Sequence, residues 1–168
     1  YQWNTFDQRF DMTKEPNEPH RHGWIVEIDP MDPTSTPKKR TALGRFKHEN
    51  AAVTLADNGH IVVYLGDDER GEHIYKFVSK NRYNPEDNSA NTDLLEEGSL
   101  FVARFDAAEG ELKGIGEWLE LKQGENGLTA ENGFASEAEV MIYAREAATI
   151  VGATTMDRPE WVAVHPDN

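Results

Sequence analysis

Lys47-His48-Glu49-Asn50-Ala51-Ala52-Val53-Thr54-Leu55, then Ile61-Val62-Val63-Tyr64-Leu65-Gly66-Asp67-Asp68-Glu69-Arg70, then His73-Ile74-Tyr75-Lys76-Phe77-Val78: these three runs decide the fold. Each is short, apolar or β-branched, and bounded by polar turn residues, which is the pattern of strands. Asp57-Asn58-Gly59 between the first two is a hairpin signal, because Asn and Gly tolerate positive φ. Antiparallel strands are therefore expected near 51–55, 61–65 and 74–78. The middle run does not alternate, as expected of a strand covered on both faces. At the C-terminal end the pattern restarts with Arg158-Pro159-Glu160, the apolar run Trp161-Val162-Ala163-Val164, and His165-Pro166-Asp167-Asn168. Laid over one another, Glu49 and Glu160 each follow a cation and each open an expected strand. Self-similarity of this kind points to a repeated β unit such as a propeller blade. A carboxylate at the same place in each unit is how such a fold gathers metal ligands at its axis.

Composition narrows what such a fold can do. The chain has 168 residues, enough for one domain with a real core. Seventeen Lys and Arg against 31 Asp and Glu give a formal charge of −14. Such a balance opposes binding of nucleic acid or anionic lipid through bulk electrostatics, and it suits cation binding or plain solubility. No run approaches a membrane span. There is no cysteine, hence no disulfide frame, thiolate or zinc finger. The chain opens on Tyr1 and stops on an unfinished turn, which is expected of a segment of a longer protein.

Outside the central runs, Tyr1 to His22 is polar and broken by Pro16 and Pro19. An irregular lead-in is expected there, with a short strand around 2–6 and with Trp3 and Phe6 as packing residues. Residues 23–28 read as a strand ended by Asp29-Pro30, and 29–40 as a proline-rich loop whose Lys38-Lys39-Arg40 cluster is a solvated turn. Residues 80–98 form a long polar loop. Further strands are expected over 99–105 and 118–121, joined by a loop over 106–116. Then the period changes. Ser136 with Glu139 makes a capping box, Val140, Ala144, Ala147 and Val151 recur at helical spacing, and Gly152 stands at the stop. The fold expected is all-β, a fragment of a β-propeller with antiparallel blades, carrying one inserted α-helix near residues 136–151.

Four clusters carry candidate chemistry. Glu49 and Glu160, at matched strand mouths, offer hard oxygen to calcium or iron, or are surface carboxylates. Asp67-Asp68-Glu69 is acidic enough for a metal but lacks EF-hand spacing. Arg158 offers a rigid fork to a phosphate or carboxylate, or a salt bridge to a neighbouring acid. His48 is a metal ligand or a hydrogen-bonded structural histidine. Nucleophile elbow, phosphate-cradling glycine loop and aromatic-basic interleaving are all absent from the sequence.

Several of these motifs carry a resemblance. Leu43-Gly44-Arg45-Phe46-Lys47-His48-Glu49, Val63-Tyr64-Leu65-Gly66-Asp67-Asp68-Glu69-Arg70, Tyr75-Lys76-Phe77-Val78 and Gly152-Ala153-Thr154-Thr155-Met156-Asp157-Arg158-Pro159-Glu160 resemble the PhoX-type alkaline phosphatases. The strand over 23–28, and Leu100 to Phe105 followed by Trp118, fit the same family, so the likeness runs along nearly the whole chain. It implies a propeller of about six blades, of which residues 1–168 are one part lacking the upstream and downstream blades. It also implies calcium and iron at the axis and hydrolysis of small phosphomonoesters. Glu49 and Glu160 then resemble metal-ligand glutamates, and Arg158 the arginine that grips the phosphoryl oxygens and acts in catalysis. Asp67 and Glu69 fall in a matching motif whose role the resemblance does not assign, and they complete the candidate metal set. One departure is plain: the family's cysteine ligand to iron and its further acidic ligands lie upstream of the part resembled here. Export of the family makes periplasmic or secreted the expected location. The sequence leaves oligomeric state open, with a monomer as the default. Two other readings stay open, a non-catalytic calcium-binding propeller and a calcium-dependent propeller lactonase or esterase.

Overall fold

The computed structural model describes residues 1–107, 109–111 and 113–166. The lead-in holds no strand. Trp3–Thr5, Gln8–Phe10 and Glu18–Arg21 are single 3-10 turns, and Trp3 and Phe6 are exposed rather than packed. The strand expected over 23–28 shrinks to β1 (Val26–Glu27), paired with β2 (Lys38–Lys39). This two-stranded piece is anchored by Arg40, which is fully buried. Its guanidinium donates to Glu27 at 2.6 Å, to Glu96 at 2.9 Å and to the Thr92 carbonyl at 2.6 Å. The loop after residue 82 is thereby tied to the β1–β2 piece.

Five strands build the main sheet. They are β3 (His48–Leu55), β4 (His60–Asp67), then, past the short β5 (Arg70–Glu72), β6 (Ile74–Arg82), β7 (Gly98–Asp106) and β8 (Ile115–Glu120). The order β3-β4-β6-β7-β8 is an antiparallel meander. The expected hairpin turn sets its register: Gly59, at φ +87°, donates to the Ala56 carbonyl at 2.8 Å, and Ala56 donates to the His60 carbonyl. Both faces of the sheet are apolar. Val63 and Leu65, Tyr75 and Phe77, and Leu100 and Val102 point one way and are buried against the helical layer. On the other face Lys76 lies over the rings of Phe101 and Trp118, at 4.9 and 4.7 Å, and Tyr64 tilts onto Trp118.

The helix expected over 136–151 is two helices, α1 (Glu137–Ile142) and α2 (Ala144–Ile150). Its start is as the sequence predicts: the Ser136 Oγ accepts from the Glu139 N–H, and the Glu139 carboxylate accepts from the Ala135 N–H. Its end is too, with Gly152 donating to Thr149 and Ala153 to Ala148. The break falls at Tyr143 (φ −107°, ψ 40°), and Arg45 explains it. The Arg45 backbone N–H takes the Met141 carbonyl and its Nε takes the Ile142 carbonyl, both at 2.9 Å, so two acceptors leave the helical ladder. The apolar stripe survives the break, since Val140, Ala144 and Ala147 are all fully buried.

The strand expected after Glu160 does not form. The last strand, β9 (Met156–Asp157), pairs instead with β5. Asp167 and Asn168 of the expected closing turn lie outside the described residues. Within the described residues no helix is long and apolar enough to cross a membrane.

Candidate functional site

The candidate residues meet at one end of the sheet, and a bulge begins the arrangement. His48 pairs with Asp67 and Ala51 with Leu65, so Glu49 and Asn50 together face the single residue Gly66. Bulges of this kind re-aim side chains at the rims of sheets. The chain after β9 then passes over Gly66 as an extended strap. A Cβ on Gly66 would lie 2.2 Å from the Glu160 carbonyl oxygen and 2.4 Å from that of Pro159, so only glycine admits the strap. Asn50 fastens it: Nδ2 donates to the Val162 carbonyl at 2.7 Å, and Oδ1 accepts from the Val162 N–H at 3.1 Å. An amide side chain thus does for the strap what a strand neighbour would do, and that is why no strand forms there. Glu49 and Glu160 each lie within two residues of this clamp.

Arg158 occupies the bend of the strap. Its φ is +61°, one of only two positive values among the described non-glycine residues. A residue before proline is normally extended, so this conformation is held against local preference. What holds it is visible. The Arg158 N–H donates to the Glu69 carbonyl at 3.3 Å. Its Nε and Nη2 donate to the two oxygens of Asp68 at 2.8 and 2.9 Å, and Nη2 also meets Glu160 at 2.9 Å. These carboxylates raise the Arg158 pKa above its ordinary value, so the guanidinium stays charged. The salt bridge to a neighbouring acid expected of Arg158 is thus present, and Asp68 occupies the Nε–Nη2 side of its fork.

The other candidates have different surroundings. Asp67 is fully buried, and Arg145 of α2 grips both its oxygens, at 2.7 and 2.5 Å, while the Lys47 N–H donates to one of them. Glu69 forms an ion pair with Lys47, which draws its pKa below the usual glutamate value. Glu49 is exposed and makes no hydrogen bond or ion pair among the described residues. His48 donates from Nε2 to the Gly44 carbonyl at 2.9 Å and stacks on Phe46. Burial pushes its pKa down to about 4, so it is a neutral structural residue.

Among the described residues no group of three or more His, Cys, Asp or Glu is gathered closely enough to hold a metal. Glu49 and Glu160 are oxygen donors of the kind a hard cation takes. Both are carboxylates, one is unpartnered, and hard cations are satisfied by oxygen. Acids also outnumber cations at this end of the sheet, so a phosphate dianion would be repelled unless bound cations accompanied it.

The family model described as Alkaline phosphatase PhoX matches residues 1–168. The chain belongs to the PhoX alkaline phosphatase family. A solved structure titled Pseudomonas fluorescens PhoX in complex with vanadate, a transition state analogue, is 61% identical, with a TM-score of 0.94 over 98% of this chain. The PhoX-family chain spans 29% of the length of that protein. No curated protein sequence matches it.

Sequence reading gave no particular role to four residues that shape this end of the sheet. Asp68 stood in the acidic cluster with nothing to single it out. Arg145 read as an ordinary helix residue, although it neutralises Asp67 from 78 positions away. Asn50 and Gly66 carried no signal at all, because their roles exist only once the strap lies over the sheet.

Proposed function

We propose that this chain is a sector of a metal-dependent phosphomonoesterase, in which the end of the sheet around Gly66 is one wall of the active site. The single observation that supports this most is the strap: it carries the paired Arg158 and Glu160 over Gly66, opposite the bulge that holds Glu49, in a chain 61% identical to a PhoX with vanadate bound. In this reading Glu49 and Glu160 contribute carboxylates to calcium and iron, and bound cations supply the positive charge that a phosphate dianion needs. Asp67, held by Arg145, and Glu69, held by Lys47, act as the frame beneath them rather than as ligands. Arg158 presents its fork to the equatorial oxygens of the phosphoryl group, where charge grows in the transition state. The five-stranded sheet is one blade of a propeller, its two apolar faces each calling for a covering layer. Small phosphomonoesters are the substrates, and the complete protein acts in the periplasm or outside the cell.

Arg158→Lys in the complete enzyme tests this. Lysine keeps the charge but loses the planar fork. Turnover of a phosphomonoester should fall about a hundredfold, matching on the order of 3 kcal/mol of transition-state contact, with metal content and melting temperature unchanged. Unaltered turnover would return Arg158 to a purely structural salt bridge.

A further inference from the structure

We infer that Asp68 is a positioning residue for Arg158. The inference rests on the reading of Arg158 as the phosphate-gripping group. A bidentate pair joins the Nε–Nη2 side of the guanidinium to both oxygens of Asp68, at 2.8 and 2.9 Å. That side is therefore closed to substrate. Nη1 makes no hydrogen bond or ion pair among the described residues and is the donor left for an oxyanion. Asp68 is itself fixed: its N–H donates to the Lys47 carbonyl at 3.0 Å, and its side chain is only 22% exposed, against 50% for Arg158. The less mobile partner orients the more mobile one. An arginine side chain has much rotamer freedom to lose, so a prior grip on one side lets the other side meet an oxyanion at lower entropic cost.

Glu160 differs from Asp68 in kind. It touches Nη2 through one oxygen, is about half exposed, and follows the strap rather than the sheet. Asp68 belongs to the turn between β4 and β5, where its own N–H is tied to the main sheet through the Lys47 carbonyl. Of the two carboxylates on Arg158, it is thus the one that can set a reference for the arginine.

The test uses the complete enzyme with four proteins: parent, Asp68→Asn, Arg158→Ala and the double variant. Asparagine keeps the shape of Asp68 but turns one acceptor into a donor facing a guanidinium. Turnover in Asp68→Asn should drop about tenfold, the size typical of outer partners of a site residue. Inhibition by inorganic phosphate should weaken in parallel, with metal content and melting temperature held. In the Arg158→Ala background the same change should cost nothing more, since Asp68 acts through the arginine. Asp68→Glu, which keeps the bidentate acceptor, should recover part of the loss. Multiplying losses in the double variant would overturn the inference by giving Asp68 an independent role. Loss of metal in Asp68→Asn would overturn it by making Asp68 a ligand. Full activity in Asp68→Asn beside an impaired Arg158→Ala would overturn it while leaving the reading of Arg158 intact. An Arg158→Ala enzyme as active as its parent would remove that reading, and the inference with it.

Discussion

Gly66 acts by having no side chain. The strap crosses so closely that a methyl group there would sit against two carbonyl oxygens. In Gly66→Ala the strap has to lift, at a cost of about 1–3 kcal/mol. Because displacements near 1 Å in a positioned group cost about a hundredfold, turnover should fall much further than stability. Melting temperature and rate measured on one preparation check this; a fully active variant would detach the strap from catalysis. Tyr75 couples stability to pH on the alkaline side. Its ring is fully buried and stacks on Phe46, and its hydroxyl reaches only the Ala144 carbonyl, at 3.5 Å. Burial pushes the phenol well above its ordinary value near 10, and the charge of Asp67 adds to the effect. With the folded value raised, the native state binds more protons than the unfolded chain at alkaline pH. The stability contributed is whole below pH 10 and is lost as pH rises beyond it, by about 1.4 kcal/mol per pH unit. Tyr75→Phe should therefore match the parent at pH 7 and surpass it above pH 10 in denaturant melts. Parallel curves through pH 11 would show that the phenol does not control alkaline unfolding.

At the scale of elements, local signals were legible and distant ones were not. The strands of the main sheet could be read because β-branched runs between turn residues state their own conformation, and Gly59 stated the turn. The helix start could be read because Ser136 and Glu139 are three residues apart and need nothing else. Ser136→Ala should cost about 1 kcal/mol of stability and leave turnover alone, since α1 only covers the sheet. A loss of turnover without a loss in melting temperature would contradict that division of labour. The break at Tyr143 could not be read, because the group that takes the helix carbonyls, Arg45, lies 97 positions away from Ile142. The lost strand after Glu160 has the same explanation. Its apolar run has strand propensity, but Asn50 and Gly66 claim the backbone first. Of the proposed site, the sequence offered Glu49, Arg158 and Glu160 by residue type alone. The partners that set their geometry were not.

At the scale of the whole molecule, the proposed reading gives Glu49 and Glu160 part of a coordination sphere and leaves the rest to the complete enzyme. Glu49→Gln and Glu160→Gln should each lower bound metal, because an amide lacks the charge that offsets a cation. Elemental analysis of the purified variants decides it, and full occupancy in both would return them to the surface. Exposed apolar groups at the sheet margins, Val53, Leu55, Phe105 and Ile115 among them, mark where further layers of the complete protein belong. The strap has one last consequence, and it concerns time. Asn50 and Val162 are 112 positions apart, and Asp68 and Arg158 are 90. The sheet closes through neighbouring hairpins, whereas these contacts wait for most of the chain to find its place. On refolding, sheet signal should therefore return before phosphatase activity. A nascent chain would stay catalytically silent until its architecture is already built.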